Sequence, residues 1–143
     1  MIQLLQRVLS ASVNIEQTKT AEIQHGILAL VGFERDDTCE IVNQKFNKLL
    51  RYRIFSDSTG KMNLNVQQVK GSVLFVPQFT LVADTSKGLR PSFSRSASPE
   101  QGNTLFAHLT QIATATDTPC QFGVFGADMQ ISLVNDGPVT FIL

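Results

Sequence analysis

Histidine and cysteine are scarce in this chain, with two of each among 143 residues. His25 and His108 lie far apart, and Cys39 and Cys120 form no C-x-x-C pair, so no zinc site is expected. Both histidines read as structural, His25 at a turn before Gly26 and His108 in a helix with no cysteine or carboxylate beside it. The cysteines read as free thiols, and Cys120 becomes a nucleophile only if the fold brings a base to it. G-x-S-x-G and H-E-x-x-H are missing, and Gly60-Lys61 is followed by Met62 where a Walker loop needs Ser or Thr. Net charge is zero, twelve basic residues against twelve acidic, which is not the balance of a protein that coats nucleic acid by neutralising phosphates. An RNA partner would be gripped locally, at one end. The apolar run Ile27 to Phe33 is too short to span a bilayer. Met1 to Arg7 lacks the pattern of a signal peptide, so a cytoplasmic protein with no membrane partner is expected.

What is present is a globular composition, 43% apolar and 17% charged, with residues 1–143 expected to form a single domain. Val8, Val13 and Ile15 suggest one or two early strands before a turn at Gln24-His25-Gly26. Ile27 to Phe33 reads as a strand buried on both faces. A helix follows, with Asp37 as its expected cap, Glu40 three residues on, and Ile41, Val42, Phe46, Leu49 and Leu50 along one face. Arg51-Tyr52-Arg53 closes it, and Ser56 to Gly60 is a turn-rich loop. Strands are expected at Val73–Val76, Phe79–Val82, Gln121–Gly126 and Met129–Val134, with a short one at the end. Between them Ser98, Pro99 and Gln101 announce a second helix. Ala83 to Ser96 has no periodicity and carries Lys87, Arg90 and Arg95, the profile of a functional loop. Two helices against many strands predict an α+β fold, mixed β-sheets forming a barrel-like core with two covering helices.

The chain ends on Asn135-Asp136-Gly137-Pro138-Val139-Thr140 between two apolar runs. A plain hairpin turn accounts for Asn, Asp and Gly but does not require Pro138. Proline removes a ladder donor and fixes its own φ, so a Gly-Pro step at a strand start can also hold carbonyl oxygens in one outward direction for a ligand.

A second segment, Pro77-Gln78-Phe79-Thr80, follows the apolar run Ser72 to Val76. Together the two segments resemble the D-aminoacyl-tRNA deacylase family, whose motifs read Ser-Gln-Phe-Thr and Asn-x-Gly-Pro-Val-Thr. The resemblance extends over the chain, through Gln6-Arg7-Val8, Tyr52 to Asp57, Gly60 to Leu64, Arg90-Pro91-Ser92-Phe93 and Phe125 to Met129. It implies a homodimeric hydrolase for the ester of D-aminoacyl-tRNA, a proofreading activity of translation quality control that needs no cofactor and no metal. It implies that Gln78, Phe79 and Thr80 line the ester-binding edge, with main-chain groups holding the reacting carbonyl. The 2′-hydroxyl of the tRNA's 3′-terminal adenosine assists water. Phe125 and Met129 resemble the wall around that adenine. Asn135, Gly137 and Pro138 belong to a cis Gly-Pro element that enters the partner's site, binds the amino group of the D-amino acid and excludes an L-side chain. Arg7 resembles the residue that pins this element. Glycine, having no side chain, would pass, and glycine mischarged on tRNA(Ala) is a plausible second substrate.

Each of these residues has an ordinary role too. Thr80 and Phe125 suit packing positions in strands, and Arg7 suits a solvated edge. Pro77 departs from the family pattern, removing a hydroxyl and an N–H where the family has serine. A non-catalytic module that binds an RNA end or a nucleotide, using Phe125 and the Arg90 loop, is the competing reading.

Overall fold

The computed structural model describes residues 1–143. Its strands are β1 (Ile2–Ile15), β2 (Thr18–Ile23), β3 (Gly26–Gly32), β4 (Phe55–Ser56), β5 (Met62–Leu64), β6 (Ser72–Pro77), β7 (Cys120–Phe122) and β8 (Gln130–Ile142). The helices are α1 (Cys39–Arg51) and α2 (Pro99–Thr114), with a 3-10 turn at Phe79–Val82. β1 is long enough to serve two neighbours on one edge, β3 along Ile2–Val8 and β2 along Ala11–Ile15, while β8 runs along its other edge. β3, β6 and β7 continue the sheet in parallel, and β2 curls over to touch β6 and β7, nearly closing a barrel.

The apolar run at β3 is buried on both faces, as its composition predicts, because it separates two cores. Ile27, Ala29 and Val31 face the larger core with Phe75, Val42, Phe46, Leu49 and Leu109, under the two helices. Leu28 faces the barrel interior with Leu74, Val76, Val8, Val13 and Ala21. Alternate residues of β6 divide the same way. No helix is long and apolar enough to cross a membrane.

Five expectations are corrected. Thr38, not Asp37, caps α1, its hydroxyl accepting from the Ile41 N–H at 3.4 Å. Asp37 is instead buried, accepting from the α-amino group of Met1 at 2.6 Å and from the Glu34 N–H at 2.7 Å. Phe79–Val82 is a 3-10 turn and not a strand, because the Gln78 N–H makes a last bond to the Val31 carbonyl and the chain then folds across Gly32. A Cβ at Gly32 would stand 2.9 Å from the Gln78 carbonyl oxygen, so only glycine admits that crossing. The strand expected at Gln121–Gly126 covers only Cys120–Phe122, and the Asn135–Thr140 stretch is not a hairpin. Both of its arms pair with β1, so the chain keeps its direction through the Gly-Pro step. α2 begins as expected, the Ser98 hydroxyl accepting from the Gln101 N–H, but the Gln101 side chain turns away to the carbonyls of Arg35 and Asp37.

Candidate active site

The segments after β3, β6 and β7 converge with the start of α2 around a cavity of about 280 Å³. Val31 and Phe33 form one side, Pro77, Gln78 and Phe79 the second, Ala97 to Pro99 and Gly102 the third, and Phe125 and Gly126 close it. None of these side chains titrates. The volume is near the lower end for small-molecule sites, which start at about 300 Å³. The Phe125 ring leans on α2, where a Cβ at Gly102 would come within 3.0 Å of it. The ring of Phe106 lies beside it, at 6.4 Å between centroids.

Gln78, Phe79 and Phe125 therefore meet at one cavity. Thr80 stands beside them on the exposed turn, not in a strand, and its hydroxyl is 2.5 Å from the donating Gln78 Nε2. Phe79 and Thr80 open the 3-10 turn, where the first N–H groups have no acceptor within the turn itself. Met129 is one layer removed, its sulfur accepting from the Val124 N–H at 3.4 Å behind Gly123. Pro77 pairs with Val31 at the end of β6, and its ring lies against Gly123, whose N–H makes the last bond of that edge to the Phe75 carbonyl at 2.8 Å. A missing N–H at that position costs the ladder little.

Arg7, Asn135, Gly137 and Pro138 form a separate cluster. Gln6 pairs with Thr140 and Val8 with Asn135, so Asp136 to Val139, four residues, stand opposite Arg7 alone. The Arg7 Nε donates to the Asp136 carbonyl at 3.1 Å and lies 3.0 Å from its carboxylate, while Nη1 donates to the Ile54 carbonyl at 2.8 Å. Asn135 clips the bulge from inside, Oδ1 accepting from the Val139 N–H at 2.8 Å and Nδ2 donating to the Thr140 hydroxyl at 3.1 Å. Gly137 has φ of +137°, and a Cβ there would stand 2.6 Å from a Val139 methyl. The Gly137-Pro138 peptide is cis. Arg7 is thus a partly buried tie between three segments and not a solvated charge.

This cluster does not line the cavity of its own chain. Arg7 pairs with Ile27, four residues along β3 from Val31, a separation of about 13 Å at roughly 3.3 Å per residue. β1 also stands between β8 and β3. Asp136 and the Ile54 carbonyl were not foreseen, nor were Phe33, Ser98 and Gly102 as cavity walls. Only a contact across the fold reveals them.

The remaining reactive side chains lie elsewhere. His108 Nε2 is 2.8 Å from Asn43 Oδ1 and joins the two helices, while His25 packs edge-on against Phe55 at 5.1 Å. Cys120 is half-buried, and desolvation pushes its thiol up to about 11, so it stays protonated at neutral pH. Glu34 beside the cavity rim is held below its usual carboxylate range, chiefly by the hydrogen bond from the Met1 ammonium, with Arg95 adding to it.

The model of the D-Tyr-tRNA(Tyr) deacylase family matches residues 4–143. The chain belongs to that family. It is 54% identical over 143 residues to a D-aminoacyl-tRNA deacylase of Citrobacter koseri, covering all of this chain and 99% of the relative. A protein of the same name from Legionella pneumophila is 52% identical over the same span. Among solved structures, the c-Myc DNA Unwinding Element Binding Protein superposes with a TM-score of 0.93 at 34% identity, covering 100% of this chain and 97% of that one. A probable eukaryotic D-amino acid tRNA deacylase superposes at 0.81 with 20% identity over 99% and 97% of the two chains, a likeness of fold. The α+β barrel-like architecture expected from the sequence is that of the family.

Proposed function

We propose that this protein hydrolyses the ester joining a D-amino acid to the 3′-terminal adenosine of tRNA, releasing free D-amino acid and tRNA. The observation that carries the reading is the cavity itself, which belongs to a chain of the deacylase family over its full length and contains no titratable side chain. Acid–base chemistry by a cavity residue is therefore not the source of rate. Positioning and main-chain donors are. The N–H groups of Phe79 and Thr80 face the developing oxyanion, and the 2′-hydroxyl adjacent to the ester, which the substrate itself brings, assists the attacking water. Phe125 forms the apolar wall for the adenine.

Selectivity for the D-form belongs to the bulge at Gly137-Pro138, acting in the cavity of a second subunit. Two features support a shared site. The bulge is too far from its own cavity to complete it, and β8, which carries it, leaves its outer edge unpaired with Val134 and Ile142 exposed. An open edge with apolar side chains is the kind of surface that a second copy covers. A two-fold axis then completes two sites at once. Carbonyl oxygens of the bulge bind the substrate's ammonium and fill the space of an L-side chain. Glycine carries nothing to exclude, so glycine charged on tRNA(Ala) is also cleaved.

The test uses matched D- and L-tyrosyl-tRNA. Rapid release of D-tyrosine with little release from the L-form is expected; equal rates on both would overturn the selectivity argument. The name of one structural relative points to nucleic-acid binding, and binding of charged tRNA without turnover would favour the non-catalytic module instead. For the shared site, Phe125→Ala and Arg7→Ala proteins are mixed under conditions of subunit exchange. Hybrid dimers carry one intact site and combine the wild-type KM for D-tyrosyl-tRNA with D-selectivity, a combination that neither parent shows.

A further inference from the structure

Ala83 to Ser96 joins the 3-10 turn, whose first residue Phe79 lines the cavity, to Ala97, which lines it too, so the loop is flanked at both ends by wall residues. Its feet are fastened. Asp84 pairs with Ser92, Ser96 pairs with Glu34, and the Arg35 N–H donates to the Arg95 carbonyl at 3.0 Å. The loop carries three cations and one carboxylate. Arg95 is committed to Glu34 at 2.8 Å, and the Asp84 carboxylate is engaged locally, accepting from the Ser86 N–H at 2.9 Å. Lys87 and Arg90 form no ion pair and stand exposed at the crown of the loop. Beside them the ring of Phe93 lies 5.1 Å from that of Phe79, which is 61% exposed and also lines the cavity.

We propose that this loop docks the unpaired 3′ end of the tRNA, Lys87 and Arg90 holding the phosphates that precede the terminal adenosine and the Phe79–Phe93 pair offering a stacking face to the adjacent base. The inference rests on the deacylase reading, which seats the terminal nucleoside in the cavity. From there the strand has to leave past the cavity mouth, and the loop is the part of that rim with two unpaired cations. A protein with zero net charge cannot grip tRNA along its length by charge, so a local grip at the end is what remains. Single-stranded nucleic acid is held by this same pairing of cations with exposed aromatic faces.

The experiment compares D-tyrosyl-tRNA with D-tyrosyl-adenosine, which has the ester and the nucleoside but no preceding phosphates. In Lys87→Ala/Arg90→Ala, kcat/KM for the tRNA falls about tenfold through KM, while the value for the adenosine ester changes less than twofold. The slope of log kcat/KM for the tRNA against log salt becomes shallower by about 1.4, for two contacts at roughly 0.7 each. A Lys48→Ala/Lys61→Ala protein, with the same charge removed elsewhere, keeps the wild-type rate and slope. An equal fall on both substrates, no fall on either, or an equal fall in the control pair overturns the proposal. So does a double variant that sediments as a monomer where the wild type is a dimer, because the loop would then be a subunit contact. If the wild-type protein cleaves neither substrate, the deacylase reading itself fails, a result distinct from all of these.

Discussion

The cavity and the Gly137-Pro138 bulge are both deviations from the same barrel, yet they are held in different ways. The cavity is a gap in the larger core. Its walls continue into Val31, Phe75, Phe106 and Leu109, which are buried, and its shape is set by apolar packing and by glycines that let rings and carbonyls approach. The bulge lies on an edge strand, and although Val139 rests against the core, side-chain polar bonds from two residues, Arg7 and Asn135, define its course. A core-walled site resists the loss of any one polar group, since many weak contacts share the work. A bulge tied by so few bonds does not. Recognition of the nucleoside and recognition of handedness should therefore fail separately.

The largest effect belongs to Arg7. Arg7→Ala leaves Asp136 without its counter-charge and frees the Ile54 carbonyl, a loss of about 2 kcal/mol for hydrogen bonds to a charged group. Discrimination between D- and L-tyrosyl-tRNA should drop by tenfold or more, with KM for the D-form moving much less. Arg7→Lys should rescue little, because a point charge cannot serve the Asp136 and Ile54 directions together. A variant that unfolds outright, or keeps its selectivity, would show that the bulge is held by something other than this fork.

Phe125→Ala should act on the other half of the comparison, raising KM severalfold for both hands alike and costing about 2 kcal/mol, below the roughly 3–5 of a fully buried phenylalanine. Gly102→Ala sharpens the point. Alanine favours the helix by about 1 kcal/mol, and the Phe125 ring, which borders the cavity, can yield the few tenths of an ångström that the new Cβ needs. Thermal stability should hold or rise while KM rises, and a fall in stability with KM unchanged would mean that the ring cannot move.

Deleting side chains that line neither the cavity nor the bulge should do less, even at Thr80, whose hydroxyl accepts from the wall residue Gln78. Thr80→Ala, Cys120→Ala and His108→Ala should each keep activity within about fivefold, and His108→Ala should lose about 1 kcal/mol of stability with its bond to Asn43. A loss of several orders of magnitude in any of them would restore side-chain catalysis to the mechanism. The smallest effect is on labelling. Below about pH 11 the Cys120 thiol stays protonated, so alkylation at pH 8 should modify exposed Cys39 first and leave Cys120 largely intact, as peptide mapping would show.

Much of this molecule was legible in the order of its residues. Ile27 to Phe33 has no polar break, and such a run can only be satisfied between two cores. The stripe from Val42 to Leu50 and the Ser98-Pro99 start define two helices through local geometry, 3.6-residue spacing and an oxygen within reach of a free N–H. The two motifs around Gln78 and Pro138 marked the family. These features depend on neighbours in sequence, so a sequence can display them. What the tertiary structure alone decided depends on partners far along the chain. Asp37 gave up the cap because the Met1 ammonium lies 36 positions away in sequence and next to it in space. Phe79 left the strand pattern because Gly32 opens a crossing there. Asn135 to Thr140 became a bulge and not a hairpin because both flanks found the same neighbour, β1, and Arg7 filled the gap from 129 positions away. Hydrogen bonds and close packing are short-ranged in space and indifferent to separation in sequence, so the elements could be read from the chain while their ends, caps and bulges waited for the fold.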